Sequence, residues 1–178
     1  MELDERISSI FGERKASHWM AGVLTADERR EVLELEAGAY SNHSLSFYDD
    51  RADVFHLLSP EAYVIVLLMI MRAYVSAVRL GNLTELSLLA VGSVIDWLGQ
   101  PVRPELFSNR FICVWGKMSS NELCVVEDWL WYVLSHGYKD EEGIMMALDM
   151  VEYFRLRKND TCTPSANSAE LIANGAIP

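Results

Sequence analysis

The stretch from Leu58 to Leu80, LSPEAYVIVLLMIMRAYVSAVRL, constrains this chain more than any other, because its only charged residues are Glu61, Arg72 and Arg79. Its beginning has the punctuation of a helix. Ser59 can serve as N-cap, Pro60 falls at the first helical position where no amide hydrogen is needed, and Glu61 sits beside the positive end of the helix dipole. Gly81 supplies the stop. The longest uninterrupted apolar run, Ala62 to Met71, is ten residues, against the ~20 that a bilayer core requires. Arg72 stands near the middle, where burial in lipid would cost ~2.5 kcal/mol or more. The preceding flank is acidic (Asp49, Asp50, Asp53) and no basic cluster marks a cytoplasmic side. The expectation is therefore the central helix of a bundle in water, with no membrane partner.

A second apolar segment, Leu83 to Leu98, ends at Gly99, Gln100 and Pro101, so the two should form a helical hairpin joined at Gly81 and Asn82. Shorter amphipathic segments surround them. Leu3, Ile7, Ile10 and Phe11 share one face of a first helix, with Gly12 as its stop. Thr25 and Glu28 form a capping-box pattern ahead of a helix whose broad face carries Val32, Leu33, Leu35, Ala39 and Tyr40. A short helical turn is expected at Asp50 to Leu57. Ser119 and Glu122 repeat the capping box before CVVEDWLWYVLSH, with Gly137 placed just after the C-cap, and a last helix is expected from Asp140 to Lys158. Arg110 to Trp115, RFICVW, reads as an irregular loop, with a short strand as the alternative. From Asn159 to Pro178 the composition turns to Ser, Thr, Asn, Ala and Gly, which points to a disordered tail. The fold class expected is all-α: one domain over residues 1–158, a mostly orthogonal bundle of five to seven helices. A chain of 178 residues is long enough for one such core, since burial approaches roughly 70% of the unfolded surface at that size.

Charge narrows the partners. Acids outnumber bases 26 to 15, giving a formal charge of −11, and affinity for nucleic acid begins with Lys and Arg releasing counterions. No nucleic-acid partner is expected, whereas a basic protein would be steered towards the chain. The three cysteines, Cys113, Cys124 and Cys162, are odd in number and lack CxxC spacing. With Cys124 read as a buried reduced thiol, they suit a reducing cytoplasm. The first residues, MELDERISSIFGERK, lack the basic-then-apolar plan of a secretory signal.

Three pieces of the chain, LLSPEAYVIVLLMIMRAYV, FSNRFICVWGKMSSNELCVVEDWLWYV and ALDMVEYF, together resemble a bacterial family known only as a domain of unknown function. Members of that family open a helix with L-S-P-E-A and an aromatic, carry a later Arg-Phe segment leading into a helix, and close on A-L-x-x-Y-W. Leu58 to Tyr63 fit this pattern, Phe154 replaces the final tryptophan, and the N-terminal third departs from it. The resemblance covers about half the chain. It implies a shared helical fold and a bacterial origin, and brings no catalytic residues with it.

Motifs for chemistry are missing from the sequence. No HExxH or CxxC spacing announces a metal, no GxSxG elbow a nucleophile, and neither GxxxxGK[ST] nor GxGxxG a phosphate loop, so neither metal nor cofactor is expected. Asp49, Asp53 and His56 would share a helix face, but two or three ligands without a fourth more often form a solvated polar face. Glu36 falls among Val32, Leu35, Ala39 and Tyr40, where an unpaired carboxylate would be costly. Arg72 is its candidate partner in a buried ion pair, although a wet stripe through Arg72, Ser76 and Arg79 is the favoured reading. Trp131, opposite the face of Val126, Trp129, Leu130 and Val133 and near Glu127, could anchor an interface, with burial in the core the favoured alternative.

The functional expectation is a non-catalytic cytosolic binding protein presenting an acidic surface, with Asp49, Asp50, Asp53, Glu127 and Trp131 as candidate contacts, to a basic protein partner. A toxin-neutralising immunity protein is the concrete example, by analogy alone. Two alternatives stand beside it: an enzyme whose site is assembled from dispersed carboxylates such as Glu36, Asp53 and Glu127, and a structural or regulatory subunit that associates with its own copies.

Overall fold

The structure, a computed structural model, describes residues 2–11, 14–41, 44–83, 88–100 and 102–158. Among them are eight α-helices: α1 (Leu3–Phe11), α2 (Ala26–Ala39), α3 (Leu45–Asp49), α4 (Pro60–Arg79), α5 (Leu89–Leu98), α6 (Asn109–Lys117), α7 (Ser120–Ser135) and α8 (Glu141–Arg157). Short 3-10 helices occupy Ala52–Leu57 and Pro104–Leu106. The only β pairing among the described residues is a single antiparallel bridge between Met20 and Leu58. The all-α bundle expected from periodicity is thus what forms. The expected disordered tail, 159–178, lies outside the described residues.

Helix α4 is the hub, contacting α1, α3, α5 and α6. From Ala62 through Leu68 every residue is buried, the pattern of a helix enclosed on all sides rather than one resting a single stripe on a core. It is long and apolar enough to cross a membrane, with mean hydropathy 1.7, yet 67% of that window is buried inside the protein. A core helix of a bundle meets the same criterion.

The start of α4 is completed from elsewhere in the chain. Ser59 Oγ accepts the Ala62 amide at 3.2 Å and donates to the His18 carbonyl at 2.7 Å. The Ser59 amide donates to the Trp19 carbonyl at 2.7 Å, and the Ala21 amide to the Leu57 carbonyl at 2.8 Å. Helix α5 has no cap from its own N-cap residue, Leu88. Asp49 at the end of α3 substitutes, with Oδ1 accepting the Ala90 amide at 2.8 Å. Both capping boxes, Thr25 with Glu28 and Ser119 with Glu122, form as expected.

Three sequence expectations need correction. Residues 109–117 are helix, not loop or strand: Ser108 Oγ caps the Phe111 amide at 3.1 Å, and Phe111, Val114 and Trp115 turn one helical face into the core. Their i, i+3, i+4 spacing outweighs the β-branched and aromatic composition that argued otherwise. Helix α5 begins at Leu89 rather than Leu83, and residues 84–87 lie outside the described residues. Along α2 and its C-cap, Leu33 and Tyr40 are about half exposed, and the buried face narrows to Val32, Leu35 and Ala39.

Helices α5 and α8 approach closely at Gly99, where a Cβ would stand 2.6 Å from the Gly143 carbonyl oxygen. An aromatic layer seals the adjoining end of the core, with Trp115 stacked on Phe154 at 5.0 Å between ring centroids and Phe111 against Trp97 at 4.9 Å.

Candidate functional site: an acidic cleft

Helix α2 buries Val32, Leu35 and Ala39 and so turns Glu31 and Glu34 outward. The chain then reverses through α3 and the 3-10 helix at Ala52–Leu57, which packs against α2. This brings Asp50 and Asp53 opposite the two glutamates. Together with Arg51 and Val54 they line a cleft of about 270 Å³.

Arg51 is the one cation in the wall, and it is directed elsewhere. Its Nη1 donates to the Phe47 carbonyl at 3.1 Å, and its guanidinium lies 4.2 Å over the Phe47 ring. Glu31, Glu34, Asp50 and Asp53 form no ion pair among the described residues, although Asp27 and Arg30 on the same helix do. Uncompensated carboxylates around a concavity sum their fields, so the cleft attracts cations over a distance set by salt screening.

Of the sequence candidates, only Asp50 and Asp53 line this cleft. Asp49 is half-buried and faces α5, where burial raises its carboxyl pKa against the opposing pull of the Ala90 amide. Glu127 is half-buried on α7 and paired with Arg155 of α8; burial raises its pKa and the Arg155 guanidinium opposes that rise. Trp131 is half-buried, packed against the core. Glu31 and Glu34 carry no distinguishing signal in the sequence, where a charged helix face looks the same as ordinary solvation.

Glu36 and Arg72 are both half-buried, and no ion pair joins them. The buried pair is a different one. Glu122, 3% exposed, receives the Arg14 guanidinium through Nε at 2.7 Å and Nη2 at 2.9 Å. Asp49 lies on α3 whereas Asp53 and His56 lie on the following 3-10 helix, so no single helix face unites them. No group of three or more His, Cys, Asp or Glu among the described residues could hold a metal ion. Cys113 is exposed and free, whereas Cys124 is disulfide-bonded rather than the reduced thiol expected. The cysteine argument for a reducing compartment therefore no longer stands on Cys124.

Compared with protein-family models, with curated proteins and with solved structures, the chain matches none.

Proposed function

We propose that this protein is a non-catalytic binding module whose acidic cleft between α2 and the 3-10 helix at Ala52–Leu57 receives basic side chains of a protein partner. The observation that carries this reading is the set Glu31, Glu34, Asp50 and Asp53 around one concavity, with Arg51 drawn off onto Phe47. A net charge of −11 adds long-range steering of a basic partner. Bacterial immunity proteins, which neutralise a toxin by binding it, are the kind of protein that works in this way, and the resemblance to a bacterial helical family is compatible with that role.

The reading is tested by titrating the protein with a Lys- and Arg-rich peptide and mapping amide shifts by NMR. Shifts should cluster on residues 31–34 and 50–54, and fade as salt shortens the Debye length from about 10 Å at 0.1 M to about 3 Å at 1 M. A double charge reversal, Glu34→Lys with Asp53→Lys, should abolish the cluster. Shifts spread evenly over the acidic surface would defeat the proposal. Binding to the product of a neighbouring gene, sensitive to the same two reversals, would extend it to the cellular partner.

A further inference from the structure

A second cleft, of about 420 Å³, opens where residues 14–17 cross the start of α4 and the end of α6; Arg14, Lys15, Ser17, Glu61 and Lys117 line it, with Ile65 below. Inside it one carboxylate is held as a bound anion would be. Glu61 Oε1 accepts from Lys117 Nζ at 2.8 Å, while Oε2 accepts from Ser17 Oγ at 2.8 Å and from the Ser17 amide at 3.2 Å. His18 Nδ1 lies 3.0 Å from the same hydroxyl. Arg14 is committed to Glu122 and to the Lys117 carbonyl. Lys15 is exposed and forms no ion pair with the described residues. Among the described residues that line the cleft, Lys15 and Lys117 stand with a single carboxylate, Glu61, an excess of positive charge inside a chain that is −11 as a whole.

We propose that this cleft binds a phosphoryl group, as inorganic phosphate or a phosphate monoester, on Lys15, Lys117 and Ser17, and that Glu61 occupies the donor cradle until the phosphate displaces it. A phosphoryl group near neutral pH carries close to two negative charges and three acceptor oxygens, so it offers the same donors more than one carboxylate can and gives Lys15 the counter-ion it lacks among the described residues. The Glu61 side chain is 29% exposed and has water on one side into which to swing. A simple carboxylate brings no more charge than Glu61 already supplies, so it gains nothing by exchange. The site is separate from the acidic cleft and does not depend on the role proposed for it.

The experiment is an amide NMR titration at constant ionic strength with sodium phosphate, with O-phosphoserine and with sodium acetate. Both phosphates should shift the Ser17 amide saturably and acetate should not; the stronger of the two identifies the source, free ion or ester. Lys15→Gln and Lys117→Gln should each weaken binding about tenfold, the loss of one charge-assisted contact. Glu61→Gln, which removes the internal competitor while keeping its shape, should tighten binding about tenfold. Arg103→Gln, outside the cleft, should change nothing. The proposal is overturned if neither the natural protein nor Glu61→Gln shows a saturable shift, if acetate matches phosphate, or if shifts persist undiminished in the lysine variants. Should Lys117→Gln fail to fold by circular dichroism, Lys15→Gln decides alone, since the exposed Lys15 side chain forms no ion pair with the described residues.

Discussion

Arg14 grips Glu122 with two nitrogens, Nε at 2.7 Å and Nη2 at 2.9 Å, and the same guanidinium reaches the Lys117 carbonyl at 2.6 Å. Glu122 meanwhile accepts the Ser119 amide at 2.6 Å. One carboxylate therefore closes the capping box of α7 and anchors the segment between α1 and α2. Arg14→Ala leaves Glu122 buried without its cation and should destabilise the protein by about 3 kcal/mol. Glu122→Gln combined with Arg14→Ala should cost less than the two single changes added, the signature of direct coupling in a double-mutant cycle. Additive losses in urea unfolding would show that the two groups act independently.

Glu61 gives a prediction about acid. The Lys117 ammonium, and then the Ser17 hydroxyl and amide, hold its carboxyl down to about 2 from an ordinary 4.5. Because the folded value is depressed, the associated stability is present above pH 4.5 and is lost as pH falls towards 2. The Glu61 side-chain carbon resonance should titrate near pH 2, and the stability gap between the natural protein and Glu61→Gln should close across that interval. A midpoint near 4.5 would mean that the cradle around this carboxylate does not form in solution.

Asp49 behaves in the opposite sense. Burial raises its pKa above the ordinary 3.8, so between 3.8 and the raised value the folded state binds more protons than the unfolded one, and its contribution to stability falls as pH rises through that interval. Asp49→Asn keeps an oxygen for the Ala90 amide and removes the titration. Its stability relative to the natural protein should therefore improve with rising pH over that range and then level off. Asp49→Ala removes the cap of α5 as well and should lie about 1 kcal/mol below Asp49→Asn at every pH. Urea melts at several pH values separate these outcomes.

Two glycines should respond to alanine in opposite directions. At Gly99 a methyl would meet the Gly143 carbonyl oxygen at 2.6 Å and the Ile95 carbonyl oxygen at 2.9 Å, forcing α5 from α8 at a cost of about 1–3 kcal/mol. At Gly116, inside α6, a Cβ meets nothing within 4 Å, and alanine should stabilise by about 0.8–1 kcal/mol through helix propensity. Thermal unfolding of the two variants provides the comparison. A tolerated Gly99→Ala would mean that the two helices are less tightly apposed than the structure has them.

The parts of this fold that were legible in the sequence are those encoded locally. Ser59 with Pro60, Thr25 with Glu28 and Ser119 with Glu122 announce helix starts through residues three or fewer apart, and each forms. Helix α6 was hidden because Ile112, Val114 and Trp115 carry the composition of a strand, against which stand the cap at Ser108 and the i, i+3, i+4 spacing of Phe111, Val114 and Trp115. The ion pair of Arg14 with Glu122 spans 108 residues, beyond anything spacing can encode, whereas Glu36 and Arg72 suggested a pair only by their apolar neighbours. The acidic cleft was half legible: Asp50 and Asp53 attract notice as an acidic run, but Glu31 and Glu34 join them only because the chain turns back on α2.

Both central helices draw part of their start from residues outside them. Helix α4 starts against the carbonyls of His18 and Trp19, and α5 takes its missing acceptor from Asp49. An excised hairpin spanning residues 58–100 would thus lose both attachments and retain only the Ser59 hydroxyl as a starter. Such a fragment should stay largely unstructured in water, because both helix starts are completed by residues it would not contain.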